Sequence, residues 1–471
     1  MPLMSSGITP YRLLPSIDRL MRLQDGVDVP VAREAARRLV EELKQRMGSA
    51  WPPEGGVDAV LGEDALAVRL GQLSQEVTAP WHARVLNATG ILLHTGLGRA
   101  PLSATAVHAV QEVAAQGFVE VERESGKRNR REHRIAEHLC VLTGAEAATV
   151  VNNNAGATLL ALDAMARGLE VPVSRGELVE IGGGFRMPDV MHQAGCTLVE
   201  IGTTNRTRAS DYQNAINERT GCLLKVHPSN YRIDGFHGEV GLAELVKIGT
   251  RNHLPVIEDL GSGLMLEEKL PHDARESNVP ASVRTGADLV CFSGDKLFGS
   301  CQAGILVGKR AAIARVAGHP LYRALRVDKL ALAALEATLL TYRFGEPKRD
   351  IPILRAIWAP LEEIEAEATA LQAEIGEPAR LLGYLASVEE SLGYVGSGAS
   401  PARSLQSRAV RLAPDAPRLG IEEFARRLRC AEPAVFPRIE DGSLFLDLRS
   451  LAPGQWREIV EVVAALSREE G

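Results

Sequence analysis

The feature that most constrains the fold of this chain is an alternation of short apolar segments with helical segments, from about residue 85 to residue 309. Polar and glycine-rich turns follow the apolar segments. This order predicts an α/β fold with a mostly parallel sheet that is covered by helices on both faces. The predicted strands are Ala148–Asn152, Glu177–Ile181, Thr197–Ile201, Cys222–Val226, Pro255–Glu258, Leu289–Phe292 and Gly304–Val307.

The flanking regions follow different patterns. Residues 1–50 show short helices, with Ser16 as a cap and a second helix after Pro30, and a further helix is predicted over Glu63–Gln75. A long helix is predicted over Val327–Tyr342. We therefore predict a helical N-terminal domain with its linker, a large domain and a small α+β C-terminal domain, over residues 1–80, 81–343 and 344–471.

Within the predicted C-terminal domain, the first helix covers Leu361–Ile375 and ends at Gly376. An Asp441-Gly442 pair predicts a hairpin turn between the last two strands. The remaining predicted elements are the strand Ser407–Leu412, the helix Ile421–Arg429 and the strands Ala434–Ile439 and Leu444–Leu448.

Composition excludes several classes of protein. The chain has 471 residues, is 45% hydrophobic and carries a net charge of −7, which is unlike disordered, collagen-like or disulfide-scaffold chains. It has no apolar run of the ~18 residues that a membrane span needs. Charged residues near the N-terminus interrupt the apolar core that a signal peptide would need. No zinc-type Cys/His spacing occurs, so we predict no metal site. We expect a soluble, cytoplasmic protein in which only a local basic face would bind nucleic acid.

Lysine-dependent chemistry has few candidates, because the chain has only 9 lysines beside 44 arginines. Lys296 follows the apolar strand Leu289–Phe292 in a turn of small residues, which places it to reach a ligand. Lysine forms Schiff bases with carbonyl cofactors. Lys296 is therefore either a cofactor-binding lysine or an ordinary loop lysine.

The acidic pair Glu258-Asp259 favours the cofactor-binding interpretation of Lys296. Asp259 ends a predicted strand 37 residues before Lys296 and is followed by a glycine-rich turn. Enzymes that use pyridoxal phosphate need a carboxylate that keeps the pyridine nitrogen protonated. The alternative is a carboxylate that caps a helix or lies in a loop.

A phosphate site is predicted where the strand Ala148–Asn152 runs into a helix. Asn153 and Asn154 stand at the start of that helix, where side-chain and backbone N–H groups can bind an anion. An ordinary helix cap would explain one asparagine but not a run of three. Ser293 can add a hydroxyl to the same site.

Arginines form two further candidate features. Arg99 ends a glycine-rich turn, and the spacing of Arg323 and Arg326 predicts that they share one helix face. Paired guanidinium groups suit a tetrahedral oxyanion, although a solvated helix face has the same pattern. The basic segment Lys127–Arg134 either contacts RNA phosphates or is a solvated helix face.

At these positions the chain resembles the bacterial selenocysteine synthases, the L-seryl-tRNA(Sec) selenium transferases. The resemblance covers most of Val85–Tyr342, and the glycine motif at 396–398 and Asp441–Arg449 are also similar to the family. Members more often have Asn at the position of Gly96 and Gly-Pro at the positions of Ser300 and Cys301. The matching stretches are Val85–Ala100, Val150–Leu160, Ser174–Met191, Ala194–Thr207, Lys225–Tyr231, Glu258–Gly263, Ser293–Lys309 and His319–Leu339.

The resemblance implies a fold-type-I enzyme dependent on pyridoxal 5′-phosphate (PLP). It makes Lys296 the cofactor lysine and general base, Asp259 the partner of the pyridine nitrogen and Asn153 part of the phosphate site. It assigns selenophosphate binding to the arginines at 99, 323 and 326. It also implies that residues 1–80 recognise the tRNA and that the chain assembles as a homodecameric ring of dimers.

The activity implied by the resemblance is the conversion of L-seryl-tRNA(Sec) to L-selenocysteinyl-tRNA(Sec) through a PLP-bound aminoacrylyl intermediate. Two alternatives stay open at this point. One is a related PLP-dependent lyase or ammonia-lyase that acts on a small phosphorylated amino compound, whose phosphate the arginines would bind. The other is a tRNA-binding scaffold without catalysis. The N-terminal extension favours the tRNA enzyme, and the retained Lys296 and Asp259 favour catalysis.

Overall fold

The computed structural model of the protein describes residues 10–49, 51, 53, 56–228, 230, 231, 233, 235–271, 273, 276–396 and 404–470. The chain forms two compact units, Met1–Ala83 and Arg84–Gly471. The glycine motif at 396–398 lies largely outside the described residues. The predicted division into three domains at residues 80 and 343 stays a prediction. No helix in the described part of the chain is long and apolar enough to cross a membrane.

The N-terminal unit is helical. Ser16 caps its first helix as predicted, since the hydroxyl accepts a hydrogen bond from the Arg19 amide at 3.3 Å. Leucines from the second and fourth helices form its core, and the Ser74 hydroxyl donates to Gln24 Oε1 at 2.7 Å inside it. After a 3-10 turn at Pro10–Leu13, the helices are α1 (Ile17–Arg22), α2 (Val29–Ser49), α3 (Asp58–Leu61) and α4 (Glu63–Thr78).

The second unit contains a large sheet whose strands lie in the order β2-β10-β9-β8-β7. Strands β7, β8 and β9 are parallel, whereas β10 runs antiparallel to both of its neighbours. A separate parallel pair is formed by β3 and β6. The strands are β2 (Ala147–Val151), β3 (Glu170–Ser174), β4 (Glu180–Ile181), β5 (Phe185–Arg186), β6 (Thr197–Ile201), β7 (Leu223–Val226), β8 (Val256–Gly261), β9 (Leu289–Ser293) and β10 (Gly304–Gly308).

Helices cover both faces of this sheet, as predicted. One apolar core lies between the sheet and helices α7, α8 and α12, and another lies against α6, α11 and α14. The helices are α5 (Ala104–Val113), α6 (His133–Thr143), α7 (Asn154–Ala166), α8 (Met187–Gln193), α9 (Ala209–Ala215), α10 (Leu242–Arg251), α11 (Val279–Thr285), α12 (Arg310–Ala317), α13 (Pro320–Ala324), α14 (Lys329–Phe344), α15 (Pro347–Asp350) and α16 (Pro352–Trp358).

The C-terminal part forms a second five-stranded sheet in the order β1-β13-β14-β12-β11. Its first strand, Val85–Ala88, comes from the beginning of the unit and pairs in parallel with β13. The predicted large domain therefore contributes a strand to the C-terminal sheet. The elements are β1 (Val85–Ala88), α17 (Leu361–Leu381), β11 (Tyr384–Tyr394), β12 (Ser404–Pro414), α18 (Ile421–Cys430), β13 (Ala434–Glu440), β14 (Ser443–Asp447) and α19 (Trp456–Glu469).

Three sequence predictions of local structure are wrong. The strand expected over Glu177–Ile181 is a 3-10 turn followed by the short β4, because the carboxylate of Glu177 turns inward to accept hydrogen bonds from Lys225 Nζ and the Val226 amide. Gly376 does not end its helix, since α17 packs against β11, β12 and α19 and continues to Leu381. The basic segment is not one helix face, because α6 begins only at His133.

Candidate active site

Lys296 and Asp259 lie at one edge of the large sheet. Asp259 is on β8, and Lys296 follows β9, the parallel neighbour of β8. The carboxyl ends of parallel strands meet at one edge, where α/β folds bind their ligands. Both side chains are buried, with exposed fractions of 6% for Asp259 and 5% for Lys296. The two residues are therefore brought into one buried site.

Two donors from α7 hold the Asp259 carboxylate. Asn154 Nδ2 donates to Oδ1 at 2.8 Å, and the Thr158 hydroxyl donates to Oδ2 at 3.1 Å. Burial raises the pKa of Asp259, while the hydrogen bonds from Asn154 and Thr158 and the charge of Lys296 oppose that rise. The arrangement orients a carboxylate whose remaining lone pairs suit a cationic N–H donor.

The surroundings of Lys296 favour the neutral form of its amine by lowering its pKa. Burial is the largest cause that lowers its pKa, and the nearby charge of Arg99 lowers it further. The charge of Asp259 acts in the opposite direction. A deprotonated lysine is a nucleophile toward carbonyl groups and a base toward acidic C–H groups.

The anion site is predicted at the start of α7. Asn153 caps this helix, and its Oδ1 accepts a hydrogen bond from the Gly156 amide at 2.7 Å. Small residues follow at positions 155–157 of this 13-residue helix, so its first turn carries no bulky side chain of its own. Ser293, at the end of β9, is buried beside the turn that carries Lys296.

An unpaired acceptor at this site is a second observation that fits PLP. The Oδ1 atom of Asn154 is buried and has no hydrogen-bond partner among the described residues. An orphaned acceptor beside a held carboxylate is costly unless a ligand supplies a donor. The site offers an amine for an aldehyde, a carboxylate for a pyridine nitrogen and a helix N-terminus for a phosphate, which are the three groups of PLP.

Arg99 lies beside the lysine turn. Its backbone has a left-handed φ of 62°, and its amide donates to the His94 carbonyl at 3.1 Å. Its Nη1 is 3.4 Å from Oδ2 of Asp295, the residue that precedes Lys296. The structure therefore brings Arg99 to the predicted site.

Arg323 and Arg326 do not share a helix face, so that prediction is wrong. Helix α13 ends at Ala324, and Arg326 lies beyond it. Arg323 is exposed and forms no ion pair within the described ranges, whereas Arg326 pairs with Glu120. The segment still adjoins the anion site, because the Asn152 amide donates to the Leu325 carbonyl at 2.9 Å.

Sequence reasoning missed two residues of this site. Thr158 stands four residues after Asn154 on α7, and that helical spacing is the signal that would have placed both against Asp259. Asp295 is adjacent to Lys296, but only the folded turn shows its contact with Arg99.

Two of the three departures from the family pattern, Ser300 and Cys301, form hydrogen bonds to α14. Ser300 is fully buried and its hydroxyl accepts from the Thr338 hydroxyl at 2.9 Å. The Cys301 thiol donates to the Ala331 carbonyl at 3.5 Å. At Gly96, a Cβ atom would lie 3.3 Å from the His94 ring, so a larger residue would press on that ring.

Comparison with solved structures supports the fold. The chain is similar to the structure of D-glucosaminate-6-phosphate ammonia-lyase, with a TM-score of 0.56 and 22% identity over 84% of this chain and 98% of that chain. This likeness concerns the fold alone. The predicted α/β fold class is confirmed.

Comparison of sequences identifies the family. The chain is 46% identical to the L-seryl-tRNA(Sec) selenium transferase of Carboxydothermus hydrogenoformans, over 93% of this chain and 94% of the relative. It is 42% identical to the enzyme of the same name from Serratia proteamaculans, over 97% and 98%. The sequence model of L-seryl-tRNA selenium transferases matches residues 85–452. The chain therefore belongs to the L-seryl-tRNA selenium transferase family.

Proposed function

We propose that this protein is a PLP-dependent transferase that converts L-seryl-tRNA(Sec) to L-selenocysteinyl-tRNA(Sec), with selenophosphate as the selenium donor. The observation that carries the proposal is the buried pair of Lys296 and Asp259 at one sheet edge, beside the N-terminus of α7. Relatives of that name align over nearly the whole chain, which supports the choice of substrate.

Each cofactor-binding residue has a proposed role. Lys296 would hold PLP covalently, Asp259 would accept a hydrogen bond from the ring nitrogen, and Asn153 and Ser293 would line the phosphate site. Asn154 positions Asp259 through its hydrogen bond of 2.8 Å. When bound, PLP supplies an electron sink for reactions at the α and β carbons of an amino acid.

Lys296 would also move the proton. Burial and the charge of Arg99 lower its pKa, so the free amine can accept the α-proton of the seryl group. A proton held on Nζ can then be passed to the departing β-hydroxyl. The surrounding burial keeps bulk water away from the amine during this transfer.

The arginines would act at the donor step. Arg99 lies beside the lysine turn, and Arg323 and Arg326 lie next to the start of α7. Guanidinium groups bind tetrahedral oxyanions with charge-assisted hydrogen bonds. We therefore assign the selenophosphate oxyanion to Arg99, Arg323 and Arg326, and serine, which lacks such a group, would not need them.

We assign tRNA recognition to the N-terminal unit. This unit lies outside the match to the family model, which begins at residue 85, although whole relatives align across it. Residues 1–83 have 9 Lys or Arg against 11 Asp or Glu, so recognition cannot rest on overall charge. The exposed face of α2 carries Arg33, Arg37 and Lys44, which we propose contact phosphates of a tRNA read by shape.

The homodecameric ring of dimers and the cytoplasmic location also remain proposals. Apolar side chains on α5 and α14 are exposed in the single chain, including Val107 at 42% and Leu330 at 39%. Burial of such residues against another copy would support an oligomer. A tRNA substrate places the reaction in the cytoplasm.

The experiment compares substrates directly. The purified protein with PLP is incubated with selenophosphate and seryl-tRNA(Sec), serine on another tRNA, or D-glucosaminate 6-phosphate. We expect selenocysteine only on tRNA(Sec) and no ammonia from the amino sugar. Ammonia release without selenium transfer would favour the lyase alternative, and no reaction with any substrate would favour the scaffold.

A further inference from the structure

The basic segment Lys127–Arg134 begins as one arm of a hairpin whose other arm carries Glu120. The Glu122 amide donates to the Lys127 carbonyl at 2.9 Å, and the Asn129 amide donates to the Glu120 carbonyl at 2.8 Å. Its later arginines are paired locally, Arg130 with Glu132 at 2.8 Å and Arg134 with Glu137 at 2.9 Å. Ion pairing within the protein therefore accounts for much of this segment's charge.

Glu120 joins this hairpin to the arginine segment that follows α13. Its carboxylate accepts hydrogen bonds from Arg128 at 2.8 Å, from Arg131 at 2.8 Å and from Arg326. Arg131 Nη1 also donates to the Val327 carbonyl at 2.5 Å. The hairpin thus holds both the side chain of Arg326 and the backbone of the next residue.

Arg326 keeps binding capacity in this arrangement. Its described contact to Glu120 uses Nη2, and a guanidinium group has five N–H donors. The side chain is 28% exposed. One carboxylate among three guanidinium groups also leaves the cluster positively charged. Arg326 is therefore oriented by Glu120 without being neutralised.

We propose that Glu120 is a positioning residue that orients Arg326 to receive the oxyanion of the selenium donor, an inference that rests on the proposed donor role of Arg326. A free arginine side chain has many rotamers, and a ligand that binds it must restrict them. Glu120 restricts them before the donor arrives. The hydrogen bond between these side chains spans 206 residues of sequence.

A purely electrostatic role for Glu120 would have the opposite effect. An anion beside Arg326 weakens the positive potential that attracts a second anion. Removal of its charge would then tighten donor binding, whereas loss of positioning weakens it. The direction of the change in KM for selenophosphate therefore separates the two roles.

The test uses two variants of the full-length, PLP-loaded enzyme. Glu120→Asp keeps the charge but shortens the side chain, and Glu120→Gln removes the charge. We expect the KM for selenophosphate to rise by roughly 10-fold for Glu120→Asp, and the inhibition constant of inorganic phosphate to rise with it. The kcat and the KM for seryl-tRNA(Sec) should change by less than about twofold. Glu122→Gln is the matched control on the same hairpin, where the carboxylate accepts only from the Ser125 hydroxyl among described residues.

A double-mutant cycle with Arg326→Ala completes the test. We expect Glu120→Asp to add no further rise in the KM for selenophosphate once Arg326 is gone. Three results would overturn the proposal. The first is an unchanged or lowered KM for selenophosphate in Glu120→Asp, and the second is an effect of Glu120→Asp that persists without Arg326. The third is failure of both Glu120 variants to fold while Arg326→Ala folds. If Arg326→Ala itself leaves that KM unchanged, the donor role of Arg326 is wrong, which is a separate failure.

Discussion

At the scale of single residues, the chemistry depends on Lys296, a buried lysine whose pKa is lowered by burial and by the charge of Arg99. Lys296→Ala should abolish covalent binding of PLP and selenium transfer, because the other buried lysine of this sheet, Lys225 on β7, is paired with Glu177 at 2.8 Å and with Glu239 at 3.1 Å. The measurement is the visible absorbance of lysine-bound PLP, followed by borohydride reduction and peptide mass spectrometry. Lys309→Ala, at an exposed lysine paired with Asp288, is the control and should retain both properties. A modified peptide that contains another lysine would contradict the assignment.

Glu258, the neighbour of Asp259, predicts a pH dependence of stability. Burial raises the pKa of Glu258 to about 7, and its Oε2 has no partner within the described ranges. The folded state therefore binds more protons than the unfolded state between its ordinary pKa and 7, so the free energy of unfolding falls as pH rises through that window. Glu258→Gln should remove up to about 3 kcal/mol of this fall.

Denaturant unfolding of wild type and Glu258→Gln at several pH values between 4.5 and 8 measures this effect. The two stability curves should diverge as pH rises, in favour of the variant. Glu244→Gln, on the exposed face of α10, should follow the wild type. Parallel curves for wild type and Glu258→Gln would contradict the buried, protonated state of Glu258.

The sequence predicted which residues come together at the site. It was less informative about the hydrogen bonds that position them. Lys296, Asp259 and Asn153 were recognisable because each lies within or just after the carboxyl-terminal part of a strand of the same sheet. The bond from Glu120 to Arg326 could not be predicted, since it joins segments that only tertiary packing brings together, whereas for Thr158 the helical spacing from Asn154 was the available signal.

At the scale of secondary-structure elements, the N-terminus of α7 combines stability with binding. Asn153→Ala removes the side-chain cap and should lower the free energy of unfolding by about 1 kcal/mol. It should also weaken PLP binding, measured by fluorescence titration. Asn278→Ala is the matched control, since Asn278 caps α11 with a bond of 2.9 Å to the Ala281 amide. Equal PLP affinity in both variants would argue against a phosphate site at α7.

Secondary-structure elements were predictable where the sequence shows a regular apolar pattern. Thr197–Ile201 was predicted with its observed bounds. Strand β3 was missed because Pro172 interrupts its apolar pattern, and β11 was missed because its apolar and polar residues do not alternate regularly. The pairing of β1 with β13 is a contact across the whole unit, which local sequence patterns do not encode.

At the scale of the whole molecule, the two units should have separable functions. Deletion of residues 1–83 should leave PLP binding intact, because every proposed cofactor-binding residue lies after Arg84. The affinity for tRNA(Sec) should fall by roughly 10-fold or more, as phosphate contacts are lost. Filter binding of labelled tRNA measures this.

A full-length variant with Arg33, Arg37 and Lys44 changed to Gln keeps the N-terminal unit and tests the proposed face of α2. Its affinity for tRNA(Sec) should also fall, and the loss should shrink as salt is raised. Unchanged affinity in the deletion would refute tRNA recognition by this unit, whereas an effect of the deletion alone would place recognition on another face.

For the molecule as a whole, we propose that the site around Lys296 and Asp259 exchanges the hydroxyl of serine on tRNA(Sec) for selenium. Single-turnover reaction of the PLP-loaded enzyme with labelled seryl-tRNA(Sec) tests it most directly, with the esterified amino acid identified after hydrolysis. We expect selenocysteine when selenophosphate is present, loss of the serine hydroxyl without it, and unchanged serine with Lys296→Ala. Unchanged serine with the wild-type enzyme, while PLP and tRNA are both bound, would contradict it.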